Sequence, residues 1–142
     1  MERTNRIFKT MNMILSGKIS HSQIEKSSQY EESVKPRLEA LIRLRETLEQ
    51  DFQLHSYYSF TTQIKADYLI SSATAPVDFI FIIKSNSSDE ISICDFVCCS
   101  AFTQTKRDYR ENQRSRSILK KERVHIATNT TTVIFDRLNK KQ

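Results

Sequence analysis

The sequence predicts an α+β domain, or an α/β domain built from the same elements, on three observations. Apolar residues recur at helical spacing early in the chain, aromatic and β-branched residues dominate the middle, and glycine is nearly absent. With 142 residues, of which 38% are hydrophobic and 27% charged, residues 1–142 have the composition of a single globular domain. The one glycine, Gly17, excludes the glycine-rich phosphate loops of Walker and dinucleotide-binding folds.

The first third of the chain predicts a long amino-terminal helix. Residues 1–20 mix apolar and basic side chains without periodicity and predict an arm or a short helix. From Ser22 to about Phe52, apolar residues lie three, four or seven positions apart, on a stripe that should face the core. Pro36 lies within this run, so the helix either begins near Ser33, with the proline in its first turn, or bends there. The stripe consists of Val34, Leu38, Leu41, Ile42, Leu48 and Phe52.

The middle of the chain predicts three or four strands of a mainly antiparallel sheet. The runs YYSFTTQI, ADYLISS and VDFIFIIK are rich in aromatic and β-branched residues, and the polar turn SNSSDE separates them from ISICDFVCCSAF. The last run also fits a buried helix, but we favour a strand. Residues 103–122 then predict a mostly solvated basic helix, and RVHIATNTTTVIFD predicts a strand pair ahead of a basic tail at 138–142.

Two further features concern the compartment. No run approaches the ~20 apolar residues of a membrane span, and the first twenty residues lack the apolar stretch of a signal peptide. We therefore expect an intracellular protein, in the cytoplasm or nucleus, with no membrane partner. Cys94, Cys98 and Cys99 lie close together without a distant thiol, which excludes a disulfide framework and indicates buried, reduced side chains.

The positive charge of the chain is concentrated in one segment. The net charge is +5, and residues 106–123 carry eight Lys or Arg against three acids, so this segment accounts for the whole excess. On a helix, several of these side chains would share one face and meet phosphates. An acidic protein partner and a merely solvated face are the alternatives. The predicted nucleic-acid-binding residues are Lys106, Arg107, Arg110, Arg114, Arg116, Lys120 and Lys121.

Four stretches between about residues 30 and 137 carry a family resemblance: YEESVKPRLEALI, KADYLI, APVDFIFIIK and ATNTTTVIFD. In order and type they resemble the nuclease domains of the PD-(D/E)xK superfamily, in particular the amino-terminal domains of type I restriction subunits. The resemblance implies an endonuclease that depends on Mg²⁺ or Mn²⁺, with carboxylates that hold the metal and a lysine that steadies the attacking water. In the place of the (E/D)-x-K motif the chain has Ile82, Ile83 and Lys84, so the acid is missing.

Two alignments of the implied metal site remain open. In the first, Asp67 is the strand aspartate and Lys84 is the catalytic lysine. In the second, Asp78 is the strand aspartate and Asp95 takes the place of the acid of the (E/D)-x-K motif. Asp95 would then lie on the neighbouring strand, diagonal to Asp78. The lysine would then come from elsewhere, for instance Lys106. The resemblance also offers three glutamates of the first helix as compensating ligands, and candidates for a helix glutamine and tyrosine: Glu31, Glu32, Glu39, Gln104, Gln113 and Tyr109.

The sequence therefore predicts a domain that binds nucleic acid, either DNA or RNA. A divergent or inactive metal-dependent nuclease fold is one interpretation of it. The alternative is a structural or assembly protein. In that interpretation the helix at 22–52 makes homo-oligomer contacts, and the basic helix meets an acidic protein partner.

Overall fold

The computed structural model describes residues 9, 12–60, 62–85 and 96–139. The chain divides into two compact units, Met1–Pro36 and Arg37–Gln142. In the described part of the first unit, residues 12–15 form one helical turn. A short helix, α1 (His21–Glu25), and a π-helical turn (Tyr30–Val34) follow it. The Ser20 N–H donates to the side chain of Gln23 at 2.8 Å, which is half of a capping box and explains why α1 begins there.

The second unit contains a sheet, a ribbon and nearly all of the main helix, α2 (Lys35–Glu49). Five antiparallel strands form the sheet in the order β4-β3-β2-β1-β5, and β6 pairs with β7 in a two-stranded ribbon. The α+β class, the antiparallel sheet and the carboxy-terminal strand pair are thus confirmed. The strands are β1 (Phe52–Ser56), β2 (Tyr68–Ser72), β3 (Asp78–Lys84), β4 (Phe96–Thr103), β5 (Arg114–Arg116), β6 (Lys120–His125) and β7 (Thr130–Asp136).

The long helix predicted from Ser22 to Phe52 is interrupted. Helix α2 begins at Lys35 with Pro36 as its second residue, which confirms the alternative that places the proline in the first turn. Ahead of it, the Ser27 side chain accepts the Gln29 N–H at 3.3 Å. Serine side chains compete in this way with the backbone hydrogen bonds of a helix, so the polar stretch before the π-helical turn separates α1 from α2.

Helix α2 packs on one face of the sheet through small side chains. Ala40 is 1% exposed and packs with Ile70 and Ile80, while Leu44 lies at the edge of the same cluster. The predicted apolar stripe is wrong here, because its members Leu38, Leu41, Ile42 and Leu48 are exposed by 38%, 54%, 82% and 38%. The row that faces the sheet is rotated to the buried Ala40 and Thr47 and the half-buried Leu44, and the alanine permits a close approach to the sheet.

The opposite face of the sheet carries an aromatic cluster. Phe79 and Phe81 are fully buried and pack with Leu69 and Tyr57. Tyr109 covers both phenylalanines edge-on, with ring centroids 5.4 and 5.5 Å away. Residues from the segments between β1 and β2 and between β4 and β5 therefore close this face.

The predicted basic helix is wrong, since the structure has no helix between residues 103 and 123. A turn occupies 109–112, β5 follows it, and β6 begins at Lys120. Asn112 has φ +60°, a left-handed conformation that helices do not contain. Arg114–Arg116 pair with β1, so the edge of the sheet overrides the helical propensity of the segment. The basic side chains are consequently spread over a turn and two strands.

The run ending at Thr103 forms a strand over its described part, β4, which confirms the favoured interpretation. The register with β3 shifts between Phe81 and Ile82, and Cys99 is the extra residue of this bulge. Cys98 and Cys99 are free and exposed, so the predicted burial of the thiols is wrong for them. Cys94 lies outside the described residues. Within the part of the chain that the structure describes, no helix has the length and apolar character needed to span a bilayer.

Candidate functional site

Asp78, one of the predicted metal ligands, is buried at the start of β3 with both carboxylate oxygens hydrogen-bonded. Arg43 donates from Nε to Oδ2 and from Nη2 to Oδ1, at 2.8 Å each. The Thr103 hydroxyl donates to Oδ1 at 2.7 Å. The hydrogen bond to Asp78 raises the pKa of Arg43. These contacts tie helix α2 to strands β3 and β4.

Asp67 and Lys84 lie together at the other end of β3. The Lys84 backbone N–H donates to Oδ2 of Asp67 at 2.7 Å, and its Nζ lies 5.9 Å from the ring centroid of Tyr68. Tyr68 pairs with Ile82, so Asp67 is about five positions along β3 from Asp78, or roughly 16 Å at ~3.3 Å per residue. The structure thus brings Asp67 to Lys84 but does not bring it to Asp78.

Asp95, the third predicted metal ligand, lies outside the described residues. The second alignment requires Lys84 to pair with Ile91, which would put Ile80 opposite Asp95. This pairing is wrong, because the register pairs Lys84 with Phe96 and Ile80 with Ala101. Among the described residues no three His, Cys, Asp or Glu side chains form a group that could hold a metal ion. The described carboxylates therefore do not fit the implied site, and the Mg²⁺ or Mn²⁺ cofactor stays a prediction.

Several of the predicted nucleic-acid-binding side chains are engaged within the protein. Arg116 donates from Nε to the Ser56 hydroxyl at 2.7 Å, and Lys120 pairs with Glu122 at 2.6 Å. Lys121 donates to the carbonyl of Gln50, and its Nζ lies 4.4 Å from the Phe52 ring centroid. Burial lowers the pKa of Lys121. Arg107 lies 5.2 Å over Tyr109, and the exposed Lys106 and Arg114 have no ion pair with any described residue.

A different cluster lies on the sheet face opposite α2, around His55 of β1. His55 is 7% exposed and its Nδ1 has no hydrogen-bond partner among the described residues. Ser71 of β2 is fully buried, and its hydroxyl is likewise unpaired. Because His55 pairs with Leu69 and Ser71 with Gln53, the two are diagonal neighbours, with about 7–8 Å between them. Buried polar atoms normally have partners, so two such atoms on one face make it a candidate functional site.

A fixed ion pair lies near this histidine. Arg110 donates from Nε to Oδ1 of Asp108 at 2.8 Å and from Nη2 to Oδ2 at 2.6 Å. This hydrogen bonding lowers the pKa of Asp108 and raises that of Arg110. Burial lowers the pKa of His55 below 6.5, and the positive charge of Arg110 lowers it further. The face therefore combines a neutral imidazole, which can accept a proton, with a guanidinium whose hydrogen bonds to Asp108 use Nε and Nη2 and leave Nη1 to bind phosphate.

Two exposed aromatic rings follow His55 in the chain. Tyr58 and Phe60 are 52% and 79% exposed, with ring centroids 6.0 Å apart. The Gln113 side chain holds the Tyr58 backbone in place, accepting its N–H at 2.8 Å and donating to its carbonyl at 3.1 Å. Exposed rings on a fixed backbone suit stacking with nucleobases. Gln113, a candidate for the family glutamine, thus connects two loops through its hydrogen bonds. Tyr109, the candidate for the family tyrosine, packs against the aromatic cluster.

Sequence reasoning missed His55 because nothing near it in the chain resembles a catalytic pair. Its neighbours Asp108 and Arg110 come from a distant loop, which the fold alone brings close. One signal was available: the alternation in FQLHS places Gln53 and His55 on the same strand face, away from Phe52 and Leu54. A histidine that shares a strand face with a glutamine, opposite the apolar side chains of the same strand, is a candidate for function.

Comparison with known proteins identified a family. The model of the family described as phage-Barnase-EndoU-ColicinE5/D-RelE like nuclease4 (PBECR4) matches residues 1–138. No curated protein and no solved structure gave a significant match. The match identifies a nuclease domain, and hence a nucleic-acid substrate, in agreement with the nuclease part of the resemblance. It gives no support to the PD-(D/E)xK superfamily.

Proposed function

Because the chain belongs to the PBECR4 family of phage-Barnase-EndoU-ColicinE5/D-RelE like nucleases, we propose that it cleaves RNA at a site centred on His55. One observation carries the proposal. His55 combines a lowered pKa with an Nδ1 that has no hydrogen-bond partner among the described residues, beside an arginine that Asp108 holds in place. A histidine that is neutral at neutral pH is suited to act as a general base.

RNA is the substrate that these groups suit, because it carries its own nucleophile. The imidazole of His55 takes the proton of a 2′-hydroxyl, and the 2′-oxygen attacks the adjacent phosphorus. The bond from phosphorus to the 5′-oxygen breaks, and that oxygen takes up a proton from water. The products are a 2′,3′-cyclic phosphate and a 5′-hydroxyl. Arg110 stabilises the negative charge that develops on the phosphoryl oxygens. DNA has no 2′-hydroxyl and cannot follow this path.

Substrate binding would use exposed side chains of the loops that follow β1 and β4. Tyr58 and Phe60 supply rings on which bases stack, and the exposed Lys106 supplies charge for the phosphates. Each base stacked on an aromatic side chain contributes about 1–3 kcal/mol to binding. This part of the proposal retains the predicted role of Lys106 in binding nucleic acid.

The test compares labelled RNA with DNA of the same sequence, each with EDTA, with Mg²⁺ and with Mn²⁺. The variants are His55→Gln and Arg110→Lys, with His125→Gln as the matched control, since His125 lies on the ribbon and contacts Thr128. We expect cleavage of RNA in EDTA, with a cyclic phosphate at the new end. His55→Gln should lower its rate about 10²-fold or more, while His125→Gln should not.

Three results would overturn the proposal: cleavage of DNA, cleavage only in the presence of metal, or a rate that is the same in His55→Gln. Metal-dependent cleavage abolished by Asp67→Ala would instead restore the first alignment of the metal site. Thermal denaturation of each variant shows whether a loss of activity reflects a loss of the fold.

A further inference from the structure

The sheet face that carries α2 ends in an apolar groove, which no described residue covers. Its lining consists of Leu54, Tyr68, Ile82, Phe96 and Arg116, around an open space of about 410 Å³. These side chains share one face because Leu54 pairs with Arg116 and Tyr68 with Ile82 in the register. The groove is therefore on the reverse of the sheet from His55, whose register partner across β5 is Ser115.

Two aromatic rings form one wall of the groove. Tyr68 and Phe96 meet edge-on with ring centroids 5.7 Å apart, and Phe96 is 43% exposed. Leu54 and Ile82 belong to the edge of the core cluster beneath α2, so the floor of the groove is part of the folded core. The rings are thus held by the sheet and present their surface to solvent.

Cations flank the rings, and none of the five lining side chains is acidic. Arg116 is fixed at one side by its hydrogen bond to the Ser56 hydroxyl at 2.7 Å. At the other side, Lys84 Nζ lies 5.9 Å from the Tyr68 ring centroid. Arg114, two residues from Arg116 on the same edge strand, is exposed on the same face. An apolar slot between positive charges complements a flat base attached to a phosphate backbone.

We propose that this groove binds an unpaired base of a single-stranded nucleic acid, with Arg116 and Lys84 on the flanking phosphates. Because the two rings are nearly perpendicular, the base stacks on one of them and meets the edge of the other. Stacking requires a base whose face is free, so a duplex does not fit. The inference uses the nucleic-acid substrate of the family and does not depend on cleavage at His55. Because β5 is the edge of the sheet, one strand of nucleic acid can reach both faces by crossing that edge.

A tryptophan placed in the groove reports on its occupant directly. The chain contains no Trp, so Phe96→Trp introduces a single reporter, and Phe135→Trp on the ribbon is the matched control. The ligands are short 2′-O-methyl RNA and DNA oligonucleotides, which lack a free 2′-hydroxyl and resist the proposed cleavage. We expect a saturable change of fluorescence in Phe96→Trp and none in Phe135→Trp. An abasic strand of equal length should give no change.

Affinity measured by anisotropy supplies a second readout. Tyr68→Leu keeps an apolar side chain but removes the ring, and it should weaken binding by at least about fivefold. Tyr30→Leu, in the first unit, should have no effect. The proposal is overturned if the oligonucleotides bind while the Phe96→Trp signal stays constant, or if the abasic strand gives the same signal. It is also overturned if that signal changes with protein concentration alone as the mass doubles, since a second copy would then fill the groove.

Discussion

Arg43 of helix α2 and Asp78 of strand β3 form a two-point ion pair, with both N···O distances at 2.8 Å. The Asp78 side chain is 2% exposed and that of Arg43 is 29% exposed. The pair joins the helix to the sheet and leaves neither carboxylate oxygen unbonded. An aspartate that sequence reasoning assigned to a metal is therefore a structural link between layers of the fold.

Replacing this aspartate should destabilise the protein. Asp78→Asn leaves the Arg43 charge without its partner, and we expect the free energy of unfolding to fall by about 3 kcal/mol, the lower end for a broken buried pair. The partial exposure of Arg43 places the effect at that end. Denaturant titration measures it. Asp67→Asn is the control, since Asp67 is exposed and an amide oxygen still accepts the Lys84 N–H. Equal stability of Asp78→Asn and wild type would contradict the structural role.

The stability of the protein should depend on pH through His55. Its pKa in the fold is below 6.5, so on acidification the unfolded chain takes up the proton first. The stability that the neutral His55 contributes is fully present above about pH 6.5. It is lost as the pH falls from 6.5 to the pKa of His55 in the folded state. Arg110 adds to the shift and Asp108 opposes it. The lowered pKa of Asp108 affects stability only near and below pH 3.8, its ordinary pKa, which is outside the pH range in which His55 titrates.

Urea titrations between pH 7.5 and 5.5 test this dependence. His55→Gln should lose less stability across the range than wild type, because glutamine does not titrate. His125→Gln should keep the wild-type dependence. An equal or steeper loss in His55→Gln than in wild type would mean that burial does not disfavour the charged imidazole.

The sequence predicted those elements whose pattern is local. Strand β3 and the ribbon followed from runs of β-branched and aromatic residues, and a helix that begins with Pro36 in its first turn was one of the two alternatives for α2. The buried row of α2 did not follow, because Ala40 is less hydrophobic than Leu41 or Ile42 and yet faces the sheet. Helical spacing identifies stripes, but the surface that covers them decides which stripe is buried.

The segment 106–123 was misjudged for a related reason. Its composition favours a helix, but Asp108 binds Arg110 locally and β1 offers an unpaired edge to Arg114–Arg116. Such tertiary pairing overrides weak propensities. The candidate site could not be predicted from the sequence either, because it combines a histidine of β1 with a loop that lies much later in the chain.

The exposure and the contacts of the basic residues predict which of them bind phosphates. Lys106→Ala combined with Arg114→Ala should reduce the slope of log affinity against log salt for single strands by about 0.7 for each phosphate that is no longer neutralised. Both residues are exposed and have no ion pair with a described residue. Lys121→Ala is the contrast: its side chain binds the Gln50 carbonyl and covers Phe52, so stability should fall by about 1 kcal/mol with the slope unchanged. A slope that responds only to Lys121→Ala would reverse this assignment.

The turn between β6 and β7 depends on one residue with an unusual backbone. Asn129 has φ +51°, a left-handed conformation that asparagine and glycine adopt more readily than branched residues. Asn129→Val should therefore destabilise the ribbon by about 1–2 kcal/mol, whereas Asn129→Gly should change its stability by less than about 0.5 kcal/mol. Thr131→Val, on exposed β7, is the control for a branched side chain in an extended strand. Hydrogen exchange of the β6 amides separates opening of the ribbon from unfolding of the sheet. If Asn129→Val protected these amides as well as wild type does, the turn would not require the left-handed residue.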